Sequence, residues 1–276
     1  MIKEKVMEEI KTIDEDISIV IKDLTNNQWI LKYKEEEVFP SASLIKIPIM
    51  IEALYTVQNG EYKLDEKIKI KESDRVEYSL ISELKLDEYP LIDLITLMII
   101  LSDNTATNVL IELLGYHRIN ERIKKLDCKN TVLRRKMMDF QAAKEGRENM
   151  TSPMDMAMVM EKIYNKSIID LESCNIIIDI LTRQKHRDML PRYILDEVTI
   201  AHKTGELSGL NHDIGIFYLE NIHYLMGIFT RNGRDDLEGK RTIGKVSKLV
   251  YDLLNIDNQH EIIIKNTKRV HLQNME

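Results

Sequence analysis

Three short polar stretches of this chain carry groups that can attack a carbonyl or move a proton. Ser43 and Lys46 stand three residues apart in Phe39-Pro40-Ser41-Ala42-Ser43-Leu44-Ile45-Lys46-Ile47-Pro48. Positions i and i+3 share one helical face, so this hydroxyl and this amine can address the same point. Ser102-Asp103-Asn104 sits between two apolar segments, and Lys203-Thr204-Gly205 closes a predicted strand. A lone Ser-x-x-Lys arises about once by chance in a chain of this length. Each exact triplet arises by chance in roughly a few per cent of such chains, so the signal lies in finding all three, in this order and in these contexts.

The residue types define a coherent chemistry. A serine hydroxyl is a weak nucleophile and needs a base within hydrogen-bond reach. A lysine serves as that base only when its amine is neutral, which requires burial and a second positive charge nearby. Taken singly, each stretch also has a structural reading: Ser41 or Ser43 as helix caps, Lys46 as a solvated helix residue, Ser102-Asp103-Asn104 as a capped turn, and Lys203-Thr204-Gly205 as a strand end. Taken jointly, they favour one active site.

The elements that must position these groups can be read along the chain. Val6, Ile10 and Ile13 predict an N-terminal helix over residues 3–12. Ile17 to Ile21 and Trp29 to Tyr33 predict two strands joined through Asn26-Asn27. The helix behind Ser43 continues through Ile47, Ile51 and Leu54 to Asn59-Gly60, with Pro48 near its first turn, where a missing donor costs least. Further helices are predicted over Leu91–Leu101, Ala106–Leu114, Arg118–Leu126, from Pro153 to Tyr164 with a Met-rich core stripe, and over Leu171–Leu181. Thr131 to Met150 reads as a long ordered loop. Strands are predicted over Thr199–Lys203, Asp213–Leu219 and His223–Thr230, and a final helix over about Gly239–Leu254, with the tail from His260 left unassigned.

Strands at both ends with helices between them imply a mixed α/β (α+β) architecture in which the termini share one sheet. One catalytic domain of two lobes is expected, an α/β lobe from about 1–42 and 195–276 and a helical lobe over about 43–194.

Composition narrows the function. The 276 residues carry a net charge of −7, which argues against a nucleic-acid surface. Arg134-Arg135-Lys136 is a short basic run in a loop. Cys128 and Cys174 form no Cys-x-x-Cys, and two free buried thiols are expected. No Gly-x-Gly-x-x-Gly, phosphate loop or His-Glu-x-x-His is present, so no cofactor or metal is expected. The N-terminal stretch is charged and amphipathic rather than an apolar signal core, and no run is long enough to span a bilayer. A cytoplasmic protein is expected, or an exported one whose signal has been removed; a monomer acting on a small molecule is the expected form.

The chain resembles the serine β-lactamases of class A and their penicillin-binding relatives, for which this motif set is characteristic. The likeness runs through the opening hairpin, Phe39-Pro40 before the serine, Ser102-Asp103-Asn104-Thr105-Ala106, Thr151-Ser152-Pro153 and Lys203-Thr204-Gly205. It implies a mainly antiparallel sheet packed by terminal helices, beside an all-helical lobe, with the active site in the cleft. It also implies Ser43 as the acylated nucleophile, Lys46 as base, Lys203 as the second charge and Ser102 as proton relay. Asn104 and Thr204 would hold substrate, the latter binding its carboxylate with Lys203. The backbone N–H groups of Ser43 and Glu206 would form the oxyanion hole, and Gly205 would keep the strand edge open.

The resemblance breaks in the long loop. Class A enzymes carry Arg-x-Glu-x-x-Leu-Asn there, whose Glu activates the deacylating water. Counting back from Pro153 puts Lys136 at that position, and no Glu-x-x-Leu-Asn is present. Asp139 is the candidate substitute, with Gln141, Glu145 and Glu148 as alternatives; a loop cap or a partner for Arg134 or Arg135 is the structural reading of Asp139. Acylation is therefore expected more firmly than release. Glu206 would disfavour anionic substrates if it faces the cleft. His202 and His212 are read as structural histidines. Three functions follow: a β-lactamase with weak deacylation, a D-Ala-D-Ala peptidase or esterase using the same site, and a non-catalytic β-lactam sensor.

Overall fold

The apolar run Ile17-Ser18-Ile19-Val20-Ile21 forms the middle of a strand, β1 (Asp16–Asp23), that is buried on both sides. The computed structural model describes residues 1–11, 13, 16–84, 86–233 and 236–273; of residue 236 and residues 256–273 it describes the backbone alone. Ahead of β1 lies α1 (Ile2–Ile10), and after it β2 (Gln28–Tyr33) and the two-residue β3 (Phe39–Pro40). A 3-10 turn, Ala42–Ile45, leads into α2 (Lys46–Gln58). Then come β4 (Lys67–Lys69), α3 (Leu80–Glu83), β5 (Glu88–Pro90), α4 (Leu91–Ile100), α5 (Asn104–Leu114), α6 (Tyr116–Lys125), α7 (Phe140–Lys144), β6 (Met150–Thr151), α8 (Pro153–Tyr164) and α9 (Leu171–Thr182). The chain closes with β7 (Thr199–Leu207), β8 (Leu210–Tyr218), β9 (His223–Arg231) and α10 (Asp236–Gln273).

The five long strands form one antiparallel sheet in the order β2-β1-β9-β8-β7. Both ends of the chain thus meet in one sheet, as the pattern of strands implied. Because side chains alternate across a strand, the sheet has two apolar faces. Ile17, Ile19, Ile21, Phe217 and Met226 pack with Val6 and Ile10 of α1 and with Ile243, Val246 and Val250 of α10. Val20, Ile214, Ile216, Leu225 and Phe229 pack against the helical core of α2, α4, α5, α8 and α9. Among the described residues, no helix is long and apolar enough to cross a membrane. Cys128 and Cys174 are free and buried, and burial pushes the Cys128 thiol up to about 12, an inert value.

Several local expectations are corrected. Ser41 precedes the 3-10 turn, but neither it nor Ser43 caps a helix with its side chain; the Ser41 hydroxyl donates to Ala42 O instead. Lys203-Thr204-Gly205 does not end its strand, since β7 continues to Leu207. The long loop contains the short helix α7, and a bridge pairs Val132 with Met150.

The loop is tied down at both ends. Asp155 on α8, 2% exposed, accepts hydrogen bonds from the backbone N–H groups of Lys129 (3.1 Å) and Asn130 (2.7 Å) and from the Thr131 hydroxyl (2.7 Å). Phe39-Pro40 pairs with Met150-Thr151, which joins the loop's exit to the segment before Ser43. Asp155→Ala leaves the buried Thr131 hydroxyl and two part-buried loop amides without their acceptor and is expected to cost about 3 kcal/mol of stability. Urea denaturation with an unchanged m-value is the measurement.

Candidate active site

Ser43, Lys46, Ser102, Asn104, Lys203 and Thr204 come from three distant parts of the chain, and the fold brings them to one place. Ser43, Ser102, Asn104 and Thr204, with Glu206 among others, line a cavity of about 450 Å³, and Lys46 and Lys203 lie buried behind Ser102. Ser43 is half-buried and lines the cavity, and among the described residues no hydrogen bond engages its Oγ.

Lys46 begins α2 with no exposed surface. Its Nζ donates to Ser102 O (2.6 Å), Ser102 Oγ (3.0 Å) and Asn104 Oδ1 (2.9 Å). Lys203 is equally buried; its Nζ donates to Ser102 Oγ (3.1 Å) and to Thr204 O (2.7 Å). One serine hydroxyl therefore sits between two buried amines. Burial, and after it the neighbouring Lys203, drives the Lys46 pKa well below the ordinary lysine range, against the pull of Asp103. Burial also lowers Lys203, to about 7, with Asp213 and then Glu206 opposing. Both amines thus bind a proton less readily than an ordinary lysine.

Backbone strain is concentrated here. Of the nine non-glycine residues with positive φ among the described residues, Ala42 (46°), Tyr78 (54°), Ser102 (54°) and Met138 (65°) line the cavity. Their surroundings hold them there. Asp103 accepts from Ala106 N (2.8 Å), Ser79 Oγ (2.9 Å) and Ile81 N (3.2 Å), which fixes the Ser102 turn against the Tyr78 segment. A side chain at Gly205 would lie 3.2 Å from Ala42 Cβ, 3.2 Å from Ser41 O and 3.3 Å from Leu44 Cγ. Gly205 therefore lets β7 press against the turn that carries Ser43. Its missing side chain is filled by that turn and not left open to substrate, which corrects the expected role.

The loop contributes differently from the expectation. Lys136 turns away from the cavity to Asp74 (2.9 Å) and Glu112 (3.1 Å). Met137 faces the cavity, and Asn108 clamps its backbone, accepting from Met137 N (2.7 Å) and donating to Met137 O (3.2 Å). Arg135 and Met137 stand at the spacing of the Arg-x-Glu pattern, and Met137 is the one of the pair Lys136-Met137 that lines the cavity. Asp139 is exposed, does not line the cavity and caps α7 through Ala142 N (3.0 Å). Glu145 pairs with Arg147 and Gln141, and Glu148 with Arg135 at 2.7 Å. The loop thus lines the cavity with Arg135, Met137, Met138 and Phe140 and with no carboxylate.

Glu206 does face the cleft, and its carboxylate pairs with Lys240 at 2.7 Å. His202 and His212 do not line the cavity. His202 Nδ1 meets Asp213 at 3.0 Å, with both side chains fully buried. His212 lies 4.6 Å from the Phe229 ring between Pro40 O and Asn211 O, and burial lowers it to about 4.

Sequence reasoning missed Asn108, Asn149 and His186. Asn149 accepts from Arg134 N (2.7 Å) and Arg135 N (3.0 Å), while its carbonyl takes the Ser41 amide at 2.7 Å, so it ties the loop to the serine turn. His186 reaches Leu101 O (3.2 Å) from the opposite wall. Isolated Asn and His residues leave no spacing signal by which these could have been found.

Fold and comparison together define a serine hydrolase of the β-lactamase type. The model of the β-lactamase enzyme family matches residues 1–254, and the chain belongs to that family. It is similar to a β-lactamase from Sphaerobacter thermophilus, at 27% identity over 88% of this chain and 92% of that one, with a TM-score of 0.80. It is equally similar to PBP-A, at 27% identity, 92% and 96% coverage and a TM-score of 0.84; a variant of PBP-A is known as its acyl-enzyme with penicillin G. An ancestral class A β-lactamase shares the fold at 22% identity, 92% and 100% coverage and a TM-score of 0.84.

Lys203 makes a stability prediction. Between about 7 and the ordinary value of 10.5, the unfolded chain holds a proton on this amine that the native protein lacks. Native stability therefore rises with pH through that window, by at most about 1.4 kcal/mol per unit from this group. In Lys203→Met the rise is expected to be shallower, measured by urea denaturation across the window.

Proposed function

We propose that this protein takes an acyl group from β-lactams onto Ser43 and releases it slowly. The observation that carries this reading is the pair of buried lysines on Ser102 Oγ, one well below the ordinary lysine range and one at about 7. Lys46 in its neutral form takes the Ser43 proton as the hydroxyl attacks the strained amide carbonyl. The carbonyl oxygen is held by the N–H groups of Ser43 and Glu206. The proton then reaches the departing ring nitrogen through Ser102, whose hydroxyl bridges Lys46 and Lys203. Asn104 and Thr204 hold the substrate on either side. No cofactor enters this scheme.

Release needs a water activated on the open side of the acyl group. With Met137 at the loop position that faces the cavity and Asp139 engaged as a cap, no loop carboxylate is available. This favours penicillin-binding behaviour, a long-lived acyl-enzyme, over rapid turnover. A peptidase or esterase reading keeps the same residues, and the carboxylate-free loop wall favours it over an efficient β-lactamase.

A time course with penicillin G, following product and protein mass together, tests the proposal. One acyl adduct should form faster than product accumulates, and Ser43→Ala should form none. Turnover as fast as acylation would overturn the slow-release reading. Met137→Glu places a carboxylate beside the acyl group and is expected to speed release by about 100-fold, the usual scale of a positioned general base. Acylation by the anionic penicillin should decline as pH rises through about 7, because Lys203 loses the charge that attracts the carboxylate. Stopped-flow or quenched mass spectrometry across that range is the measurement.

A further inference from the structure

The strand wall of the cavity carries a charge that does not suit a carboxylate. Side chains alternate along β7, so Glu206 projects on the same side as Thr204, two residues before it. Both line the cavity, and Glu206 remains 39% exposed. Its carboxylate meets Lys240 of α10 at 2.7 Å, and the same amine meets Asp188 at 2.7 Å. Among the described residues one cation thus serves two anions, and these three side chains together keep a net negative charge. Lys240 is itself only 14% exposed and directed to these two partners. Arg135, the cation lining the far wall, is engaged by Glu148. Among the described cavity-lining residues of the strand wall, Glu206 is the charged one.

We propose that Glu206, paired with Lys240, an amine that Asp188 shares, is a charge filter that selects acyl donors uncharged or amine-bearing where they lie along Thr204, against donors with a carboxylate there. This rests on the reading of Ser43 as the acylated residue and specifies which substrates reach it. Lys203 attracts a carboxylate from beneath the strand, and Glu206 repels it from the exposed side. The first interaction is shared by anionic donors alone, and so is the second, so the balance between the two sets the discrimination. Lys240 acts through Glu206 as a positioning residue, partly neutralising it.

The test compares acylation rates for penicillin G, which is anionic, and p-nitrophenyl acetate, which is neutral, below the pH at which Lys203 loses its proton. In Glu206→Gln the penicillin-to-acetate rate ratio is expected to rise about tenfold, the scale of one partly screened charge at close range. In Lys240→Met, with Glu206 left uncompensated, the ratio should fall. Raising the salt concentration should shrink the difference between native protein and Glu206→Gln, because an exposed charge is screened; a purely structural effect would not respond. An unchanged or lowered ratio in Glu206→Gln, or a difference indifferent to salt, overturns the filter. Absence of any Ser43 adduct from either donor in the native protein would instead overturn the acylation reading itself. Thermal melting of both variants establishes that they are folded before rates are compared.

Discussion

Two amines on one hydroxyl are the constraint around which this molecule is arranged. Lys46 and Lys203 are both fully buried, and both direct Nζ at Ser102 Oγ, at 3.0 and 3.1 Å. Two full positive charges at that separation, removed from water, would repel strongly and forfeit their hydration. The strain is relieved by lowering the affinity of both for protons. The arrangement persists because neither amine can withdraw. Lys46 starts a helix packed through Ile47, Ile51 and Leu54, and Lys203 sits in the middle of a strand paired along its length with β8.

The rest of the fold brings those two lysines to the third group. The sheet fixes β7, and Gly205 lets it lie closer to the Ser41–Leu44 turn than a side chain ordinarily allows. The Ser102 turn, with φ of 54°, is held by the Asp103 carboxylate against the segment before α3. The loop is moored at Asp155, Asn149 and Asn108, and Asn149 carries its position to the Ser41 amide. A rigid scaffold around strained residues is the arrangement expected where geometry serves chemistry. The chemistry at the rim is set by a loop that lines the cavity with Met137 and no carboxylate, and by a strand wall that carries Glu206.

Much of this was legible before the structure. The hairpin of Ile17–Ile21 and Trp29–Tyr33, the helices ending at Gly60 and Gly115, and the Ser152-Pro153 helix start were visible because turn and cap residues punctuate apolar runs of clear period. Ser43, Lys46, Ser102, Asn104, Lys203 and Thr204 were visible because their types and spacing are rare in combination. The loop from Thr131 to Met150 was not, since it lacks a period and its shape comes from side-chain bonds to Asn108, Asn149 and Asp155, which lie elsewhere in sequence. The count back from Pro153 reaches Lys136, which the structure turns away from the cavity, while its neighbour Met137 lines the wall.

The sequence by itself determined the order of elements, the burial of the motif helix and the identity of the polar groups that meet at the cleft, because these depend on local propensity, periodicity and residue type. Tertiary structure alone decided the direction of each side chain at the cleft. It turned Lys136 towards Asp74 and Glu112, left Asp139 as a cap, filled the space at Gly205 with the serine turn and aimed Glu206 into the cavity beside Lys240. The physical reason is that orientation in a loop or at a strand edge is set by partners distant in the chain. Those partners meet only when the sheet and the helices have packed.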